Sequence, residues 1–276
     1  MPLASIPSPS RASWHLGPLP LRAQTLCVVA GIVVAIWIAD RRYRKAGGSR
    51  GAILDVAAWA VPAGLIPAAI AALAAPAHGS GWQAVRTWDA VAGFPGAVAL
   101  GILAAWLACR GRLRFDPVAA AAAPAILFGL AVASLGGWFS QQGFGRPSSL
   151  PWAVAISPAH RPAGYENFAT FQPVFLYLAL WSTAAGLAVA VATRRLGLRG
   201  DRALALAAAA YAAGGFAMFW LGIGHLPVVF GLRAGELGDA VVLVGSVVYL
   251  VRTRPSRIKP LQPAQKPALE SDSPVL

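Results

Sequence analysis

Between Gly145 and Tyr177 the chain reads GRPSSLPWAVAISPAHRPAGYENFATFQPVFLY. Most of this stretch is a loop. Pro147, Pro151, Pro158 and Pro162 punctuate it, and Trp152, Tyr165 and Phe168 stand among them. A loop of this length between apolar segments, about residues 140–172, points to function. Its aromatics also suit side chains anchored at a membrane–water interface. Both readings stay open on the sequence alone.

Outward from this loop the chain is apolar. Of 276 residues, 57% are hydrophobic and only 12% charged, with a mean hydropathy of +0.61. A soluble domain carries about 25% charged residues, so an integral membrane protein is expected, with one membrane domain. A bilayer core about 30 Å thick needs roughly 20 apolar residues per helix. Seven stretches qualify: 24–40, 52–75, 91–109, 117–139, 173–193, 202–222 and 236–251. The first and last are short and must extend or tilt. Pro62 and Pro67 predict a kink in the second, with neighbouring helices re-satisfying the freed carbonyls. The expected fold class is an all-α integral membrane protein with seven transmembrane helices.

The net charge of +13 and pI near 11.2 would suggest nucleic acid in a soluble protein. Here the basic residues gather at helix ends, which is a topology signal. Seventeen Lys and Arg follow the first, third, fifth and seventh stretches, beginning with Arg41 and ending with Lys266 in the tail. Six lie on the other side: Arg11, Arg22, Arg86, Arg146, Arg161 and Arg233. This alternation places the N-terminus outside and the C-terminus in the cytoplasm, and it supports seven spans. Residues 1–23 form an extracytoplasmic segment without the pattern of a cleavable signal. Residues 24–252 form the seven-helix domain. Residues 253–276 are expected to be a disordered cytoplasmic tail, rich in Pro, Lys and Ser. Cys27 and Cys109 fall near opposite membrane faces, too far apart for a disulfide, and neither has a metal-ligand neighbour.

Polar residues inside spans are functional hypotheses by default, because a charge at mid-bilayer costs about 2.5–3.5 kcal/mol or more. Few occur. The fourth span ends in Ser134-Leu135-Gly136-Gly137-Trp138-Phe139-Ser140-Gln141-Gln142. The fifth carries Gln172-Pro173 and Tyr177, the sixth Tyr211 and Gly214-Gly215. No HExxH, GxSxG or P-loop pattern occurs. His15, His78, His160 and His225 fall in loops or at helix ends. Asp40, Asp55 and Glu236 sit at helix boundaries, where capping or topology explains them. Glu166-Asn167 is the acid–amide pair of the outer loop, and a structural role there is expected. A transporter would show an intramembrane charge or a broken helix at a mid-bilayer site, for which only the Pro62/Pro67 pair offers a hint.

From Gly17-Pro18 to about Arg233 the chain resembles the prolipoprotein diacylglyceryl transferase family, in its actinobacterial form. Gly17-Pro18, Trp37, Arg41-Arg42, Arg86-Thr87-Trp88-Asp89 and above all the Gly145–Tyr177 stretch carry the likeness. The resemblance implies transfer of a diacylglyceryl group from phosphatidylglycerol to the lipobox cysteine of a preprolipoprotein, in the bacterial plasma membrane, without a cofactor or metal. The thiol must be deprotonated from a pKa near 8.5. The glycerol phosphate leaving group calls for arginines that donate in a bidentate fork, and stabilising its charge in a dry pocket is the largest demand.

The family's charged motif residues are mostly absent. By the resemblance, Arg22 and Gln24 stand for a His and Tyr of span one, and Ala69 and Ala71 for an Arg and Tyr of span two. Pro95 stands for a His before span three. In span four, Ser134 replaces an Arg, Gly137 and Ser140 replace two Asn, and Gln142 replaces a Glu. Gln172 replaces a His and Leu178 a Glu in span five. Gly215 and Gly222 replace arginines and Phe219 a Glu in span six, and Gly235 replaces an Asn before span seven. Trp138, Phe139, Gln141, Gly145, Arg146, Tyr177, Tyr211 and Gly231-Leu232-Arg233 persist. The surviving polar set implied as lipid-contacting is Arg146, Gln142, Gln172, Tyr177, Tyr211 and Arg233. The losses imply a catalytically degenerate paralogue that binds phospholipid, phosphatidylglycerol by resemblance, or preprolipoproteins. The alternative is an active transferase whose phosphate ligand is Arg146 at the outer rim.

Overall fold

The computed structural model describes residues 5–9, 13–16, 19–74, 96–111, 113–141, 143–218, 220–223, 228–229 and 232–253. Each of the seven apolar stretches contains a helix. They are α1 (Ala23–Lys45), α2 (Ala52–Ala74), α3 (Gly96–Cys109), α4 (Phe115–Ser134), α6 (Val174–Leu196), α7 (Gly200–Met218) and α8 (Ala234–Arg252), with the short α5 (Gly136–Ser140) after α4. Among the described residues, Ala23–Lys45, Phe115–Ser140 and Val174–Leu196 are long and apolar enough to cross a membrane, and Ala52–Ile66 and Gly96–Cys109 are shorter apolar helices. The protein is a helical membrane protein. Two boundaries differ from expectation. α1 continues through Arg41–Lys45, because charged turns extend a helix beyond the apolar run that hydropathy detects. The expected fourth span divides at Leu135 into α4 and α5. α2 runs unbroken through Pro62 and Pro67.

α4 is the hub, packed on α1, α6 and α7, and α8 packs on α7. Its buried face is made of small residues: Ala119, Ala120, Ala121, Ala123 and Ala125. Without a hydrophobic driving force between helices in lipid, small residues let backbones approach closely and gain dispersion contacts. The α1–α4 crossing shows this. A Cβ at Gly31 would run into the Gly129 carbonyl oxygen, and one at Gly129 would lie 2.6 Å from the Gly31 carbonyl oxygen. The large apolar side chains point outward instead. Val29, Val33 and Trp37 expose one stripe of α1, and Val241, Val244 and Val248 one stripe of α8. That arrangement suits lipid outside and fits the apolar composition.

The Arg-rich end is tied by polar contacts between α4, α7 and α8. Asp116 Oδ1 accepts from the Gly200 amide at 2.7 Å. Arg199 stands 3.8 Å from Asp116 and 3.6 Å from Asp201. The Tyr249 hydroxyl donates to Asp201 at 2.7 Å, and Arg202 donates to Thr253 and to the Leu250 carbonyl. On α1, Asp40 pairs with Arg44 at 2.7 Å. Both cysteines are free.

The opposite end departs from an all-α fold. β1 (Ile6–Pro7), β4 (Val154–Ala155) and β5 (Thr170–Phe171) form a small sheet in the order β1-β4-β5. β1 runs parallel to β4, with Ile6 beside Val154, and β4 runs antiparallel to β5, with Val154 beside Phe171. β2 (Ser13–Leu16) and β3 (Leu19–Arg22) make a hairpin, as do β6 (Val228–Val229) and β7 (Leu232–Arg233). The N-terminal segment is therefore built onto the long loop.

Candidate functional site

The long loop is a packed module. Val154, Ile156 and Phe171 form its core, covered by Ile6, Trp138, Phe144, Tyr165, Phe175 and Ile223. Phe171 is fully buried, with its ring 5.1 Å from that of Phe144. α5 ends at Gln141, whose φ of 51° and ψ of 42° place it in the left-handed region. The reversal brings Gln141 Oε1 to the Ser157 amide at 2.9 Å and the Ser157 hydroxyl at 2.8 Å. Ser157 Oγ is also 2.8 Å from His160 Nδ1. Trp138 Nε1 donates to the Pro7 carbonyl at 3.2 Å, and Ser8 Oγ donates to the Ala155 carbonyl. Arg161 donates to the carbonyls of Ile156 and Glu166, while Glu166 Oε1 accepts from the Gly164 amide at 2.9 Å. Hydrogen bonds donated by its own backbone amide and by that of Gly164 hold the Glu166 carboxyl below its ordinary value. Glu166 thus shapes a turn, as expected for a structural role.

Backbone bonds fasten this module to the bundle. The Gly145 amide donates to the Gln172 carbonyl at 2.7 Å, the Gln172 amide to the Arg146 carbonyl at 3.1 Å, and the Arg146 amide to the Leu221 carbonyl at 2.9 Å. A bridge pairs Gly145 with Gly222. A Cβ on Gly145 would collide with the Leu221 carbonyl oxygen, so this crossing requires glycine. Three of the expected site residues meet here, but in structural service. Arg146 and Gln172 use their main chains. The Tyr177 hydroxyl accepts from Trp152 Nε1 at 2.8 Å, holding the loop down on α6. The Arg146 side chain is exposed. Arg233 stands in β7. Gln142, Pro95 and Phe219 lie outside the described residues.

A cavity of about 420 Å³ opens between α1, α2, α3 and α4 and reaches α7 and α8. Ligand pockets commonly measure about 300–1,000 Å³. Its walls are almost wholly apolar, including Ile32, Val61, Ala97 and Ala133, and it holds no Lys, Arg, His, Asp or Glu among its described lining residues. Tyr211 of α7 is the hydroxyl-bearing residue of that lining. Of the expected site residues whose side chains are described, Tyr211 lines the cavity, whereas Arg146, Gln172 and Tyr177 do not. Beside Tyr211, on the α7–α8 contact, stands Asp239. Its carboxylate fills the space over Gly215, where a Cβ would meet Oδ2 and lie 2.9 Å from Cγ. Asp239 is also an electrostatic neighbour of Tyr211. Asp239 lies inside the last apolar stretch, and the sequence reading passed over it. A carboxylate within residues 236–251 is itself the signal that should single it out.

The model of the family described as prolipoprotein diacylglyceryl transferase matches residues 11–252. The chain belongs to this family. It is 39% identical over 258 residues to phosphatidylglycerol–prolipoprotein diacylglyceryl transferase 2 of Streptomyces coelicolor, covering 91% of this chain and 81% of that protein. It is 40% identical over 275 residues to the phosphatidylglycerol–prolipoprotein diacylglyceryl transferase of Frankia alni, covering 97% and 71%. The Mycolicibacterium paratuberculosis protein of the same name is 38% identical over 278 residues, covering 94% of this chain and 65% of its own length. The chain spans just under two thirds of that last relative.

At positions where the diacylglyceryl transferase resemblance expects arginine or asparagine, the described side chains satisfy themselves. Ser134 Oγ donates to the Leu130 carbonyl at 2.8 Å, and Ser140 Oγ to the Gly136 carbonyl at 3.3 Å. Both bonds close onto the preceding helical turn and leave no donor directed at a substrate. Gly137 and Gly215 bring no side chain at all.

Proposed function

We propose that this protein is a catalytically degenerate member of the diacylglyceryl transferase family, which holds a membrane lipid or lipoprotein precursor without transferring the diacylglyceryl group. It sits in the bacterial plasma membrane with seven spans, its N-terminus outside and its C-terminus in the cytoplasm. Residues 1–23 are an N-terminal extracytoplasmic segment, 24–252 the seven-helix membrane domain and 253–276 a disordered cytoplasmic tail. The alternating Lys and Arg distribution supports this topology.

The observation that carries the functional reading is the chemistry of the cavity. Its described lining has no cation to hold a phosphate and no imidazole or carboxylate to deprotonate a thiol. Burying a phosphate there without partners would be costly, and a departing glycerol phosphate would meet no fork of donors. An apolar chamber of this size still suits an acyl chain. Phosphatidylglycerol and prolipoprotein, which the names of the relatives specify, supply the classes of ligand to test.

Purified protein is to be incubated with phosphatidylglycerol labelled in its diacylglyceryl part and a lipobox peptide. Retained lipid with no labelled peptide is the expected result. Labelled peptide would overturn the reading. It would also favour the second one, active transfer with Arg146 as phosphate ligand, for which the exposed guanidinium beside the α6 and α7 ends is the supporting observation. Arg146→Ala would then abolish lipid binding; degeneracy predicts unchanged binding.

A further inference from the structure

We propose that Arg42 of α1 and Arg194 of α6 form a site for the phosphate of an anionic phospholipid, at the Arg-rich end of the bundle. The site stands whether or not the cavity holds a lipid, and neither arginine is among the described lining residues of that cavity. Three features converge on it. First, Arg42 is half-buried, and its Nε is closed off from solvent without a hydrogen-bond partner among the described residues. Second, the charged neighbour that Arg42 feels is Arg194, near the end of α6, a second cation where a counterion is needed. Third, both arginines flank the first turn of α4. Tyr43, next to Arg42, packs in one apolar cluster with Val118 of α4, α6 packs along α4, and no side chain caps the α4 N-terminus.

The carboxylates of this end are used elsewhere. Asp40 pairs with Arg44, Asp116 with the Gly200 amide and Arg199, and Asp201 with Tyr249 and Arg199. Asp55, in the first turn of α2, forms no ion pair with either arginine. Arginines placed only by topology extend their guanidinium into water, whereas the Nε of Arg42 is shut away from it. An N–H taken out of water without an acceptor costs free energy, and a second guanidinium nearby adds repulsion. One oxyanion between the two removes both costs. It accepts from the planar fork of each arginine, and the positive end of the α4 dipole favours an anion as well. Depth sets the class of anion. Arg42 and Arg194 stand where the apolar runs of α1 and α6 end, which is the level of the head groups. Basic pockets between helices at that level take phospholipid heads.

The test uses the delipidated, full-length protein in detergent, with dioctanoylphosphatidylglycerol and dioctanoylglycerol as probes of identical chains and bound lipid read by native mass spectrometry. Arg42→Gln and Arg194→Gln are each expected to weaken retention of the phosphatidylglycerol about tenfold, the worth of one charge-assisted hydrogen bond, and to leave dioctanoylglycerol unchanged. Arg194 is exposed, so its substitution probes the site without disturbing packing. Arg42→Lys keeps the charge but loses the fork, and should recover only part of the loss. Arg252→Gln, at the end of α8, removes the same charge away from the site and should change nothing; an equal loss there would make the effect one of net charge and overturn the site. Glycerol phosphate separates the sources of the anion. At equal concentration it should not displace the lipid, and displacement would overturn the assignment to a lipid in favour of a free phosphate ester. Retention of the phosphatidylglycerol that is indifferent to both arginine substitutions overturns this inference; if Val61→Trp, which fills the cavity, then abolishes it, the cavity reading stands. Retention of neither lipid overturns both.

Discussion

The loop module and the helix-lined cavity are built on opposite terms. In the module, polar groups are used densely: Gln141, Ser148, Ser157, Arg161, Glu166 and Thr170 each bond a neighbour, and a small aromatic core lies inside them. In the bundle around the cavity, alanine and glycine make the helix contacts, and the Ser134 and Ser140 hydroxyls fold back on their own helices. On the proposed reading the fold of the family is kept, whereas the described lining of the cavity carries no charged group that would act on a substrate. A family's fold and its chemistry are thus separable, because helix packing in lipid asks only for small residues at the crossings, while phosphate chemistry asks for charges that packing alone never requires.

The comparison is broken most severely by Phe171→Ala. Phe171 is fully buried between β4 and the Phe144 ring, and truncating a buried Phe costs about 3–5 kcal/mol. The module should open while the bundle stays folded, read as loss of hydrogen-exchange protection over residues 145–172 with retained protection in α4. Equal loss in both regions would mean that they form one cooperative unit. A smaller effect is expected of Gln141→Ala, which strands the Ser157 amide at a cost of about 1–3 kcal/mol. Exchange should rise locally around Ser157. Gln141→Gly tolerates the left-handed backbone better and separates the lost bonds from backbone strain.

In the bundle the sign reverses. Ser182 is completely buried on α6, and its hydroxyl has no hydrogen-bond partner among the described residues. Ser182→Ala removes that unmet group and should stabilise by up to about 1 kcal/mol, seen as a raised thermal midpoint. The smallest effect is on pH. The Glu166 carboxyl is depressed from its ordinary 4.5 by amide donors. A depressed acid contributes its stability above the unfolded value and loses it as pH falls through the folded one. Acidification below 4.5 should therefore loosen the 161–166 turn, detectable as amide exchange at Gly164, and Glu166→Gln should remove that dependence.

Hydropathy locates the helices because apolar length is a direct demand of the bilayer. It stops short of the end of α1, since Arg41–Lys45 remain helical outside the apolar run, while α4 and α5 together still make one apolar run, Phe115–Ser140, long enough to cross a membrane. The β1-β4-β5 sheet is not legible in the same way. Its strands are two residues long, too short for alternation to register, and β1 is recruited from the N-terminal segment. Gln141 is visible as a surviving motif residue, but its role depends on a left-handed turn. Tyr211 is legible as a polar residue in an apolar span. Asp239 is equally visible by that criterion, and its partners Gly215 and Tyr211 emerge only from the packing of α7 against α8.

The most direct test of a kept fold without the chemistry is complementation of a bacterium depleted of its own diacylglyceryl transferase, with expression and membrane insertion of this protein verified. No rescue, and no lipidated lipoprotein, is the predicted result. Growth with lipidated lipoprotein would contradict the account, because groups outside the cavity would then be performing the transfer.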